Sequence, residues 1–160
     1  MIKSASINLI KSALSNLSSN ELTNICLKLV KYKKDNKELL SYLLFDSNNE
    51  ADYIKLVKAE ISLQFSEINK SQMFYVRKSI RKILRITNKY IRYSGKAQTE
   101  VELLIHFCSS MNDSGVDFRL VNSMTNLYHN QVQKINRILS TLHEDLQFDY
   151  REEISRLSLK

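Results

Sequence analysis

Apolar side chains return every three or four positions along most of this chain, the spacing of one face of an α-helix. Ile7, Ile10, Leu14 and Leu17 make the first such stripe. Tyr53, Ile54, Val57, Ile61, Phe65 and Ile68 make another, and Leu120, Met124, Leu127, Tyr128, Val132, Ile135, Ile138 and Leu139 a third. Each stripe needs a packing partner. The pattern predicts eight helices, over residues 2–17, 20–33, 36–45, 49–69, 71–94, 99–111, 116–142 and 145–157. Three starts read as capping boxes: Ser18-x-x-Glu21, Asp35-x-x-Glu38 and Thr99-x-x-Glu102. There a short polar side chain accepts from the N3 amide and the N3 carboxylate reaches back to the cap. Gly95 stands where a helix C′ glycine belongs, and the runs Asp46-Ser47-Asn48-Asn49 and Asn112-Asp113-Ser114-Gly115 read as loops.

Composition points the same way. The chain has no proline and only two glycines, Gly95 and Gly115. Strand-rich folds need many tight turns, and those turns use both residues. The expected fold class is therefore all-α: an antiparallel multi-helix bundle, or a short stack of helix pairs, forming a single domain over 1–160. No internal repeat with a fixed period is present, so a solenoid has no motif behind it. The first helix, with its Ile7 to Leu17 stripe, is expected to dock on the core.

Charge adds the one functional signal. Between Glu67 and Glu100 lie thirty-two residues without a single acid. They carry Lys70, Arg77, Lys78, Arg81, Lys82, Arg85, Lys89, Arg92 and Lys96. The rest of the chain is nearly balanced, so this segment accounts for the formal net charge of +7. Concentrated positive charge attracts polyanions or acidic protein surfaces.

On a helical wheel at about 100° per residue, Arg77, Lys78, Arg81, Lys82, Arg85, Lys89, Arg92 and Lys96 fall in one arc of roughly 140°. Met73, Val76, Ile80, Ile83, Leu84, Ile86, Thr87, Tyr90 and Ile91 take the other side. Phe74 projects into the cationic arc, with Tyr75 and Tyr93 on its margin. Cations that follow phosphates and rings that stack on bases are what single-stranded nucleic acids require. Phe74 and Tyr93 are the candidate stacking groups. Lys31, Lys33, Lys34 and Lys37 would enlarge the patch if they lay nearby.

Three other readings compete. The acids Glu144, Asp145, Asp149, Glu152 and Glu153 offer a partner for the basic helix, within one chain or across a homo-oligomer. Alternatively the face meets an acidic protein, as a protein-interaction module. A merely solvated face is the third possibility.

Chemistry is sparse. His106, His129 and His143 are the only histidines, and Cys26 and Cys108 the only cysteines. Glu102 and His106 sit one helical turn apart and could give two metal ligands, but an ordinary hydrogen-bonded histidine explains the spacing better. His106 and Cys108 differ by about 200° on a helix, so they do not share a metal. Cys26 with His129 or His143 is a formal nucleophile pair without spacing to favour it. No metalloprotease helix motif, no paired-cysteine motif, no phosphate-cradling glycine loop and no nucleophile elbow occurs. The expectation is a non-enzymatic binding module without a cofactor. The apolar runs are too short to span a bilayer, and the start of the chain lacks a secretory h-region, so a cytoplasmic location is expected. In that setting the sequons at Asn16, Asn69 and Asn112 carry no meaning.

Overall fold

The computed structural model describes residues 3–157; the expected helix start at Ile2 lies outside them. Among the described residues there is no strand, and eight α-helices carry the chain, as the hydrophobic spacing requires. The chain divides into two compact units, Met1–Phe45 and Asp46–Lys160. The boundary falls inside a short π-helical turn, Tyr42–Asp46.

The first unit holds α1 (Ile7–Leu14), α2 (Ser19–Tyr32) and α3 (Lys34–Ser41). Ser18 forms the expected capping box: its hydroxyl accepts from the Glu21 amide while the Glu21 carboxylate accepts from the Ser18 amide. The second expected box does not form. α3 starts two residues earlier than expected, with Lys33 as its cap, so Asp35 falls inside the first turn, where it pairs with Lys33 at 3.8 Å. α2 and α3 pack together, and the Asn36 side-chain amide donates to the Leu29 carbonyl at 2.9 Å. The expected docking of the first helix on the core is corrected: α1 buries no residue, and Ile7 is 83% exposed. Its stripe makes the helix amphipathic, but periodicity alone does not supply a partner.

The second unit is built around a central helix. α4 (Glu50–Ser66), α5 (Met73–Ser94), α6 (Ala97–Asp113), α7 (Asn122–Leu139) and α8 (Glu144–Arg156) follow in order. α6 packs against α4, α5 and α7. It buries Thr99, Val101, Leu103, Leu104, Ile105, Phe107, Cys108 and Met111, around most of the helix, and leaves one polar face with Glu102, His106 and Ser109. A helix buried over so wide an arc belongs in the middle of a core. α4 contributes the stripe read from the sequence, Tyr53 to Ile68, all of it buried. The Phe65 and Phe107 rings meet at 5.5 Å.

Tyr128 ties three helices at one point. Its ring is fully buried, its hydroxyl donates to the Leu157 carbonyl at 2.7 Å, and the Asn112 amide donates to the Tyr128 hydroxyl oxygen at 2.8 Å. Burial pushes the phenol up to about 12, so it stays a donor. The long seventh helix is shorter than expected. Residues 116–121 form a loop with a 3-10 turn at Phe118–Leu120, and Leu120, read as part of the buried stripe, is exposed. Phe118 takes the core place there and packs on Tyr128 at 5.4 Å.

Candidate nucleic-acid interface

α5 is the helix that carries the cationic arc. Its inner stripe, Val76, Ile80, Ile83, Thr87 and Ile91, is buried. The buried Thr87 hydroxyl is satisfied by the Ile83 carbonyl at 3.0 Å, so no polar group inside this face lacks a partner. Gly95 ends the helix in the left-handed conformation at φ 67, where its amide donates to the Ile91 carbonyl at 2.9 Å. Any Cβ there is strained, which is why the chain uses one of its two glycines at this point.

The outer face is solvent-facing. Lys78, Arg81, Lys82, Arg85 and Arg92 are exposed and Arg77 is half-buried. None of these six forms an ion pair with a carboxylate among the described residues. Arg77 to Arg92 covers about 22 Å of helix axis at 1.5 Å per residue. Phe74, Arg77, Lys78, Arg81, Lys82 and Arg85 line an open recess of about 510 Å³. The first turn of α5 has no acid and no side-chain cap. The positive end of the helix dipole therefore adds to the same field.

This arrangement works against the helix itself. Arg77–Arg81, Arg81–Arg85, Arg85–Lys89 and Lys78–Lys82 are like-charge pairs at i,i+4, each destabilising by about 0.2–0.5 kcal/mol. Cations near an N-terminus oppose the dipole as well. Among the described residues, no α8 acid pairs with the α5 face, so the intramolecular compensation weighed above is not seen there. Glu152 pairs with Arg156 on α8 itself, and Asp145 with His143 at 3.3 Å.

The remaining expected site residues are placed differently. Lys96 donates to Glu50 Oε2 at 2.7 Å, and Glu50 Oε1 accepts from Ser94 at 2.5 Å and Thr99 at 2.6 Å. Thr99 is therefore not a cap, as the third box would have it. α6 begins at Ala97, and the buried Thr99 hydroxyl is committed to Glu50. Lys89 lies over the Tyr90 and Tyr93 rings, at 5.2 and 5.8 Å from their centroids. Tyr93 is half-buried beneath it and packs edge-on to Tyr90 at 6.1 Å. Phe74, by contrast, is 59% exposed in the recess, with Tyr75 T-shaped against it at 5.6 Å. Lys33 and Lys34 lie in the first unit, where they pair with Asp35 and Glu38.

A second polar cluster joins α4, α6 and α8. Glu102 accepts from Lys58 at 2.7 Å and from the Tyr150 hydroxyl at 3.0 Å. His106 Nε2 sits 2.9 Å from the Lys58 carbonyl and 2.8 Å from Ser62 Oγ. A carbonyl only accepts, so Nε2 carries the proton and cannot take one from Ser62. The Ser62–His106 contact is thus not a nucleophile pair. Glu102 and His106 hold separate partners, and no group of three metal-ligating side chains occurs among the described residues. Burial raises the Cys108 thiol to about 12, which leaves it unreactive.

Burial pulls the His106 imidazole below its ordinary value. The folded state then favours neutral His106, and the unfolded chain takes up the proton first as pH falls. Stability from this group is full above about pH 6.5 and lost below it. Thermal melts at about pH 7.5 and pH 5.5 should show a larger drop for the native chain than for His106→Gln, whose amide still donates to Lys58. Equal drops would remove His106 as the cause.

No helix among the described residues is long and apolar enough to cross a membrane. Comparisons with protein-family models, with curated proteins and with solved structures return no match.

Proposed function

We propose that this protein is a non-enzymatic binding module whose outer α5 face holds the phosphate backbone of a nucleic acid. One observation carries the reading: six cations on one helix face, exposed or half-buried, without a carboxylate partner and at a cost to helix stability. A polyanion is the ligand that relieves that repulsion and releases counterions as it binds. The contacting groups are Arg77, Lys78, Arg81, Lys82, Arg85 and Arg92. Lys89 and Lys96 contribute field from positions tied to Tyr90, Tyr93 and Glu50. Two free thiols fit a cytoplasmic setting.

The test is fluorescence anisotropy with labelled oligonucleotides across a salt series. Six phosphate contacts to a single strand give a log–log salt slope of about −4. A slope near zero, or no binding at low salt, sinks the proposal.

An acidic protein surface is the second reading, and the exposed acids of α8 give it one concrete candidate, a second copy of this chain. Concentration-dependent mass in light scattering, lost at high salt, would favour it over nucleic acid.

A further inference from the structure

We infer that the recess at the start of α5 is a single-strand site in which an unpaired base stacks on the Phe74 ring; this rests on the phosphate-binding reading above. Four observations converge. Phe74 falls near the middle of the cationic arc, across the helix from the buried stripe, so its ring adds nothing to the core. It is the only apolar side chain lining the recess, beside Arg77, Lys78, Arg81, Lys82 and Arg85. The Tyr75 ring, at 73° to it, limits its freedom, which lowers the entropy lost on stacking. Tyr93, the other aromatic on this helix margin, is already committed to Tyr90 and lies beneath Lys89.

The ligand class follows from what each group can meet. Arg77, Arg81 and Arg85 repeat at i,i+4, about 6 Å apart along the axis, with Lys78 and Lys82 on the neighbouring ridge. One such double row tracks one phosphate backbone. In a duplex every base face is covered by its neighbours, so a ring standing at the end of the row would find nothing to stack on. An unpaired strand offers a free π-face at each nucleotide, and stacking of this kind tolerates any base. The same chemistry serves RNA and DNA, and both strands enter the test.

The full chain is titrated with labelled oligouridylate, oligothymidylate, duplex DNA of equal length and inorganic polyphosphate. Phe74→Leu keeps an apolar side chain of similar bulk and removes the π-face. It is expected to weaken both single strands about 5- to 100-fold and to leave polyphosphate unchanged. A weakening of only one strand type would still support stacking and would name the strand. A fluorescent adenine analogue placed in the strand should lose emission on binding the native chain and keep it with the Phe74→Leu variant. The inference is overturned if Phe74→Leu leaves single strands unaffected, if it weakens polyphosphate equally, or if duplex DNA binds tighter than the single strands. Arg81→Glu with Arg85→Glu separates the two claims. If that pair still binds polyphosphate as the native chain does, the phosphate-binding reading itself fails. If polyphosphate binding falls and Phe74→Leu has no effect, only the stacking claim fails.

Discussion

Arg81→Glu combined with Arg85→Glu is expected to weaken oligonucleotide binding on the order of 100-fold at low salt while the melting temperature stays level or rises. The binding loss comes from two phosphate contacts removed and two anions added at the centre of the face. The log–log salt slope should become shallower by about 1.4, two contacts at 0.7 each for a single strand. The stability side has the opposite sign. Reversal turns the Arg77–Arg81 and Arg85–Lys89 positions from repulsive to attractive i,i+4 pairs, and does the same for Lys78–Arg81 and Lys82–Arg85 at i,i+3. Neither side chain has a partner among the described residues to lose. Circular dichroism melts beside the anisotropy titrations read both effects. A variant that binds normally removes the interface. A variant that loses helicity would show that these arginines serve folding instead.

Tyr128→Ala is expected to lower unfolding free energy by roughly 3–5 kcal/mol, and Tyr128→Phe by about 1–3 kcal/mol. The larger change empties a fully buried site between α6, α7 and the end of α8. The smaller one keeps the ring but strands the Leu157 carbonyl, while the exposed Asn112 amide can turn to water. Burying an unpaired polar group is the expensive part, so the phenylalanine variant isolates it. Denaturant unfolding followed by circular dichroism gives both numbers. A Tyr128→Phe loss near zero would mean that water reaches the Leu157 carbonyl in the folded protein.

What was legible in the sequence was local. The cationic arc and its opposing apolar stripe are a property of one helix, so a wheel placed Arg81 outside and Ile80 inside without knowledge of the rest. The all-helical class followed from spacing and from the scarcity of glycine and proline. That α6 is the most buried helix, with α4, α5 and α7 around it, comes from the structure alone. What stayed hidden depends on residues far apart. Lys96 looked like the end of the cationic row, but its partner Glu50 is 46 positions away. The same carboxylate captures Thr99 and cancels a capping box that reads well by itself. A wheel puts Phe74 inside the cationic arc and Tyr93 on its margin, and only packing shows that Tyr93 is occupied and Phe74 open. The exposure of α1 and the division at the π-helical turn have no local signature at all, because amphipathic spacing gives a face and not its neighbour.

The two faces of α5 share a backbone and no side chains, and this separates what selection can change from what it must keep. Substitutions at Lys78, Arg81, Lys82, Arg85 and Arg92 leave Val76, Ile80, Ile83, Thr87 and Ile91 untouched, so on the reading proposed above the ligand could change with little folding penalty. A relative of this chain with glutamates along the same arc would keep the architecture and repel every polyanion. Shared fold between such chains would then carry no inheritance of ligand, and only the outward-facing positions of this one helix would record what each of them binds.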